Sequence, residues 1–149
     1  RGSVYIFVRN GSTWGQQAKI QPTNSGTLVR GFGESLAFSG NTVLVGTPRE
    51  NVVGGNSTQG TTYVFTRNGS LWTQQARITP SNGLQNGVFG FGGTVAISGD
   101  TALVGGSCDA AYVWTRSGAS WTQQARLVLP SAVSGIFLCS GATRVAISG

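Results

Sequence analysis

The chain has 149 residues, which is enough for one domain with a substantial core. Charged residues make up 9% of it, while Gly reaches 24 residues and aromatic residues recur among Val, Ile and Leu, so the composition excludes a disordered chain. The net charge is +6, there is no His, and no run approaches the roughly 18 apolar residues that a membrane helix needs.

Three segments repeat one pattern of Tyr, Arg, Gly, Trp and two Gln residues. They cover residues 2–20, 60–78 and 109–127. Each predicts two antiparallel strands around a tight turn, because Asn-Gly pairs adopt the positive φ angles of a type I′ turn. The turns are predicted at Asn10-Gly11, at Asn68-Gly69 and, more weakly, at Ser117-Gly118.

A second unit follows each of these hairpins, at 32–46, 91–105 and, shortened, 141–149. It predicts another hairpin, with a turn at Gly99-Asp100 in the middle copy. Two hairpins per period make one four-stranded antiparallel sheet. The period, marked by Tyr5, Tyr63 and Tyr112, suits a propeller blade of about 40–50 residues with a variable loop.

Within each segment, strict alternation assigns the residues after the turn to two faces of the sheet. Trp72, Gln74, Ala76 and Ile78 fall on one face, and Thr73, Gln75 and Arg77 fall on the other. The repeated tryptophans are Trp14, Trp72 and Trp121. Their fixed place favours packing between adjacent blades over a sugar-stacking surface.

Short motifs at the start and middle of the second unit resemble those of a known family. Phe32-Gly33 and Phe91-Gly92 are similar to its FG element, and residues 45–48 and 104–107 stand where it has a GAP-like element. The pattern resembles the FG-GAP repeats of integrin α-chain-type β-propellers. The resemblance implies a ring of about six or seven blades, an extracellular location, and roles in adhesion or ligand binding.

The expected fold is therefore all-β, a partial propeller of about three blades built from four-stranded antiparallel sheets. Residues 1–149 form one propeller segment, with a partial blade near 2–22, blades at 32–80 and 91–130, and a partial blade at 140–149. Propellers close with about four to eight blades. We therefore expect either a fragment of a longer protein or neighbouring chains that complete the blades and pair with both terminal strands.

The acidic residues predict no catalytic site, no cofactor site and no metal site. They are scattered over different repeat contexts, at Glu34, Glu50, Asp100 and Asp109. The loop at 47–60 resembles the Asp-rich Ca²⁺ loops of integrin-type repeats, but Glu50 is its only acid. An ordinary Gly/Asn turn loop is favoured over a degraded Ca²⁺ site.

The basic residues cluster by repeat position rather than by patch. Six of the ten occupy two equivalent places in the three segments, namely Arg9, Arg67 and Arg116, and Lys19, Arg77 and Arg126. We expect them to be solvated strand faces and not a nucleic-acid patch, since no nucleic-acid motif accompanies them.

Two kinds of covalent feature stay open. Cys108 and Cys139 are disulfide candidates if neighbouring blades bring them together, and separate thiols otherwise. Asn10, Asn56 and Asn68 begin N-x-S/T sequons in predicted turns, where a secreted eukaryotic protein accepts glycans.

Together these features predict a non-enzymatic binding or adhesion module at the cell surface or outside the cell. Its loops would meet a protein or glycan partner, with no nucleic acid and no membrane span. The alternative is a structural subunit that assembles through open blade edges into a filament or larger complex.

Overall fold

The computed structural model describes residues 2–23, 29–51, 59–81, 89–107, 110–128 and 144–148. Ten strands form three antiparallel sheets there, and none of these residues is helical. Within the same ranges there is accordingly no helix of the length and apolarity that a membrane crossing needs. The predicted all-β fold is confirmed.

The three sheets follow one another along the chain, and we call them the first, second and third blades. The first contains β1 (Val4–Asn10) and β2 (Thr13–Ile20). The second contains β3 (Ser35–Ser39), β4 (Thr42–Thr47), β5 (Thr61–Asn68) and β6 (Leu71–Ile78). The third contains β7 (Phe89–Ser98), β8 (Thr101–Ser107), β9 (Ala110–Ser117) and β10 (Ser120–Val128). Strand order in each sheet equals chain order, as in propeller blades.

The three predicted Tyr-Trp hairpins are confirmed, but their turns lie one residue later than predicted. Asn10 is the last residue of β1 and pairs with Thr13, so the turn is centred on Gly11-Ser12 instead of Asn10-Gly11. Likewise Gly69-Ser70 and Gly118-Ala119 replace Asn68-Gly69 and Ser117-Gly118. The glycine takes φ near 60° at the first central position, which spares Asn or Ser that conformation. The turn at Gly99-Asp100 is confirmed.

A β-bulge in the outer strand corrects the predicted faces. In the second blade Phe65 pairs with Gln74 but Val64 pairs with Ala76, so Gln75 is the extra residue. Paired residues share a face, and the bulge therefore separates Trp72 and Gln74 from Ala76 and Ile78. Their predicted common face is wrong, because strict alternation takes no account of an inserted residue. The same bulge occurs at Gln17 and Gln124.

Each blade consequently has two different faces. The aromatic faces contain Tyr5, Phe7 and Trp14 in the first blade, Tyr63, Phe65 and Trp72 in the second, and Tyr112, Trp114 and Trp121 in the third. The aliphatic faces contain Val4, Ile6 and Ile20, then Val64, Ala76 and Ile78, then Val113, Ala125 and Leu127. Two apolar clusters form the core, and each joins the aliphatic face of one blade to the aromatic face of the next.

The phenylalanine of each FG pair fills the same interface. Phe91 is fully buried, with its ring centroid 5.3 Å from that of Tyr112 in an edge-on contact. Phe32 lies 5.7 Å from Tyr63 in the same way. Gly92 follows with φ of +89°, and a Cβ there would stand 2.5 Å from the carbonyl oxygen of Thr61. The FG glycine thus permits close backbone approach between the blades.

Phe91→Ala is expected to lower the free energy of unfolding by about 3–5 kcal/mol, because it leaves a cavity between two blades. Phe38→Ala is the matched control, since the Phe38 ring is half exposed at β3, and it should cost far less. Urea unfolding followed by tryptophan fluorescence measures both. Equal losses would contradict the role of Phe91 as the interface core.

Candidate functional site

The connections between strands divide between two edges of the stack. Because neighbouring strands are antiparallel, the tight turns at 11–12, 40–41, 69–70, 99–100 and 118–119 all lie at one edge. The longer connections, which join β2 to β3, β4 to β5 and β6 to β7, start and end at the opposite edge. We call this opposite edge the long-loop edge.

A buried polar cluster anchors the start of the β4–β5 connection. The side chain of Glu50 is fully buried, and its Oε1 accepts a hydrogen bond of 2.8 Å from the Tyr63 hydroxyl. The same oxygen accepts one of 2.9 Å from Nη2 of Arg77. The Glu50 carbonyl accepts the Gly60 amide, so both ends of this connection are held at one residue.

A second set of polar contacts joins neighbouring blades at the bulges. Nε1 of Trp72 donates to Oε1 of Gln17 over 3.1 Å. Nε1 of Trp121 donates to Oε1 of Gln75 over 3.0 Å. In both cases the acceptor is the bulged Gln of the preceding blade, and we call this bond the Trp–Gln latch.

The first Gln of each QQ pair holds the connection that leads into its blade. Oε1 of Gln74 accepts the backbone amide of Thr23 at 3.0 Å, and Oε1 of Gln123 accepts that of Ser81 at 2.9 Å. The two glutamines of one pair therefore serve different neighbours. Sequence reasoning missed both roles because the partners are 42 to 55 residues apart, although the strict repetition of QQA was a signal.

The family model for the FG-GAP repeat matches residues 14–65 and 72–120, which together make up more than half of the chain. The chain belongs to the FG-GAP repeat family. A search of curated proteins gives no match to it. Each matched FG-GAP unit begins at the Trp of an outer strand and continues into the next blade, so a unit spans a blade interface.

The Ca²⁺ loop of integrin-type FG-GAP repeats was the metal site weighed for residues 47–60. Here Glu50 faces inward to Tyr63 and Arg77. Over the described part of the chain, no three acidic or cysteine side chains are grouped as metal ligands. The Glu50 carboxylate instead serves as the anchor of the connection.

The other acids that the structure describes also meet arginines. Glu34 pairs with Arg49 at 3.0 Å on the surface of the long-loop edge. Asp100 pairs with Arg116 at 2.7 Å at the opposite edge. These pairs are far apart in the fold, as the scattered positions predicted.

The repeated arginines are more engaged than solvated strand faces would be. The Arg67 guanidinium lies 5.8 Å from the Trp72 ring, and that of Arg116 lies 5.3 Å from the Trp121 ring. Arg116 also donates to Thr42 of the preceding blade over 2.7 Å. The predicted solvation is thus wrong for Arg67, Arg77 and Arg116, because planar guanidinium groups stack on aromatic faces. Arg9, Lys19 and Arg126 are exposed as expected.

The covalent candidates are only partly within the described residues. Asn10 and Asn68 are exposed at strand ends beside the tight turns. Cys108, Cys139, Asp109 and the sequon at Asn56 lie outside the described ranges. The disulfide and the glycans remain predictions.

Removing Arg77 should destabilise the fold much more than removing an exposed arginine. Arg77→Ala leaves the buried Glu50 carboxylate without its cation, which is expected to cost about 3 kcal/mol. Arg49→Ala, the matched control, breaks a surface pair and should cost less than about 1 kcal/mol. Chemical unfolding measures both changes, and equal costs would show that Glu50 does not depend on Arg77.

Stability should also fall at high pH through Tyr63. Burial, followed by the hydrogen bond and the charge of Glu50, raises the pKa of Tyr63 well above its usual value. The unfolded chain releases this proton from about pH 10 upward while the folded chain keeps it, so rising pH favours unfolding. The stability advantage of wild type over Tyr63→Phe should therefore shrink by about 1 kcal/mol between about pH 8 and about pH 11.

The control for this measurement is Phe65→Leu, a substitution at an equally buried neighbour that carries no hydroxyl. Its pH dependence should follow that of wild type. Parallel pH curves for wild type and Tyr63→Phe would contradict the prediction.

Proposed function

We propose that this FG-GAP segment is a non-enzymatic binding module, outside the cell or at its surface, that presents the long-loop edge to a protein or glycan partner. One observation carries the proposal: all the longer connections leave a latched stack of blades at the same edge. Loops on a rigid scaffold are where proteins concentrate recognition. The FG-GAP family supports the same function.

Charge at the long-loop edge favours an acidic partner. Arg30 and Arg49 are exposed there, and the whole chain has a net charge of +6. Sulfated or carboxylated glycans and acidic protein surfaces offer the matching groups. The pairing of Glu34, Glu50 and Asp100 with arginines supports a binding role over acid–base catalysis.

A second candidate is the structural subunit that assembles through open blade edges. It is favoured by the first blade, in which β1 pairs with β2 and with no other described strand. An open strand edge offers amide and carbonyl groups to another chain. Assembly by strand addition would add strand content on association, which amide-I infrared spectra detect.

Binding at the long-loop edge predicts a contrast between two exposed arginines. Arg49→Ala should weaken the binding of an acidic glycan or acidic protein about tenfold, since one charge-assisted contact is lost. Arg9→Ala at the tight-turn edge should leave binding unchanged. Arrays of neutral and sulfated glycans and of extracellular-matrix proteins identify the partner, and biolayer interferometry gives the affinities. Equal effects of the two variants would exclude the long-loop edge.

A further inference from the structure

The aromatic face of the first blade is open in the structure. Trp14 is 66% exposed and Phe7 is 53% exposed, whereas Phe65, which occupies the position of Phe7 in the second blade, is 2% exposed. Tyr63 and Tyr112 are buried while Tyr5, at the same repeat position, is half exposed. The first blade thus shows solvent the face that the other two blades bury.

The third blade shows the complementary face at the other end of the stack. Leu127 is 52% exposed, whereas Ile78 and Ile20, at the same position in the other two blades, are each 4% exposed. Gln124, the bulged residue beside it, is exposed as well. The aliphatic face that receives an aromatic face inside the chain is therefore open here.

The two interfaces within the chain define what fits such faces. Both place an aromatic face on an aliphatic face, and both are closed by a Trp–Gln latch. The interface between the second and third blades adds the bond from Arg116 to Thr42. Arg9 and Thr101 occupy the corresponding positions on the two open faces. The open faces thus carry both halves of one further interface of the same kind.

We propose that the aromatic face of the first blade docks on the aliphatic face of the third blade of a second copy of this chain. Trp14 would donate to Gln124 of that copy in a third Trp–Gln latch. The contact is head-to-tail, so it propagates into a closed ring or a filament. It uses blade faces rather than strand edges, and it is independent of the ligand proposed for the long-loop edge.

Two blocked variants test the contact in the complete chain. Trp14→Arg closes the aromatic face, Leu127→Arg closes the aliphatic face, and each should be monomeric where wild type self-associates. An equimolar mixture should form a one-to-one dimer and nothing larger, because each partner keeps one intact face. Leu71→Arg is the matched control, since Leu71 is an exposed leucine beside a tight turn and belongs to neither open face. It should associate as wild type does.

The measurement is sedimentation velocity over a range of concentrations, with near-UV circular dichroism to verify that every variant is folded. A variant that fails to fold is replaced by Trp14→Gln or Leu127→Gln. Monomeric wild type at the highest concentration, a mixture that stays monomeric, or loss of association in Leu71→Arg would each overturn the proposal. Monomeric wild type would point to blades of a longer chain as the cover of these faces.

The latch itself has a separate signature. Trp14→Phe keeps the ring and removes the N–H donor, and it should raise the dissociation constant about fivefold. Gln124→Ala should do the same, and the double variant should be no weaker than either single one. Additive losses would overturn the latch. Trp14→Arg should still bind the ligand of the long-loop edge, so failure of docking and failure of ligand binding are distinguishable.

Discussion

The stack depends on the β-bulge at the second Gln of each QQ pair. Because Gln75 is an inserted residue, Trp72 lies on the aromatic side of its strand while Ala76 and Ile78 lie on the aliphatic side. The same insertion leaves the Gln75 side chain at the interface, where it accepts Trp121. One extra residue thus creates two unlike faces and the polar bond between them.

Stability is therefore distributed over interfaces rather than over blades. The FG-GAP unit at residues 14–65 contains the outer strand of one blade and the three inner strands of the next. Each unit carries its own interface, with Phe32 or Phe91 at its centre. Repeat proteins of this kind gain stability mainly from nearest-neighbour contacts, so adding a unit adds one complete interface.

The hairpins were predictable because period-two patterns and turn glycines are local signals. The bulge was not, since nothing within QQA distinguishes a paired Gln from an inserted one until the partner strand is known. The latch and the Gln–connection bonds join residues too distant in sequence for local patterns to show. Glu50 was expected in an ordinary loop, and its burial follows from Tyr63 and Arg77 on neighbouring strands.

The long-loop edge can vary because the interfaces do not include it. The β4–β5 connection covers residues 48–60, whereas its counterpart between β8 and β9 is far shorter, yet both blades keep the same strand order and the same latch. The longer connection is the one with a buried anchor, because ordering more backbone costs more conformational entropy. A stack that fixes its blades through Trp, Gln and Phe leaves loop length and loop sequence free to change, which is the property that a recognition scaffold requires.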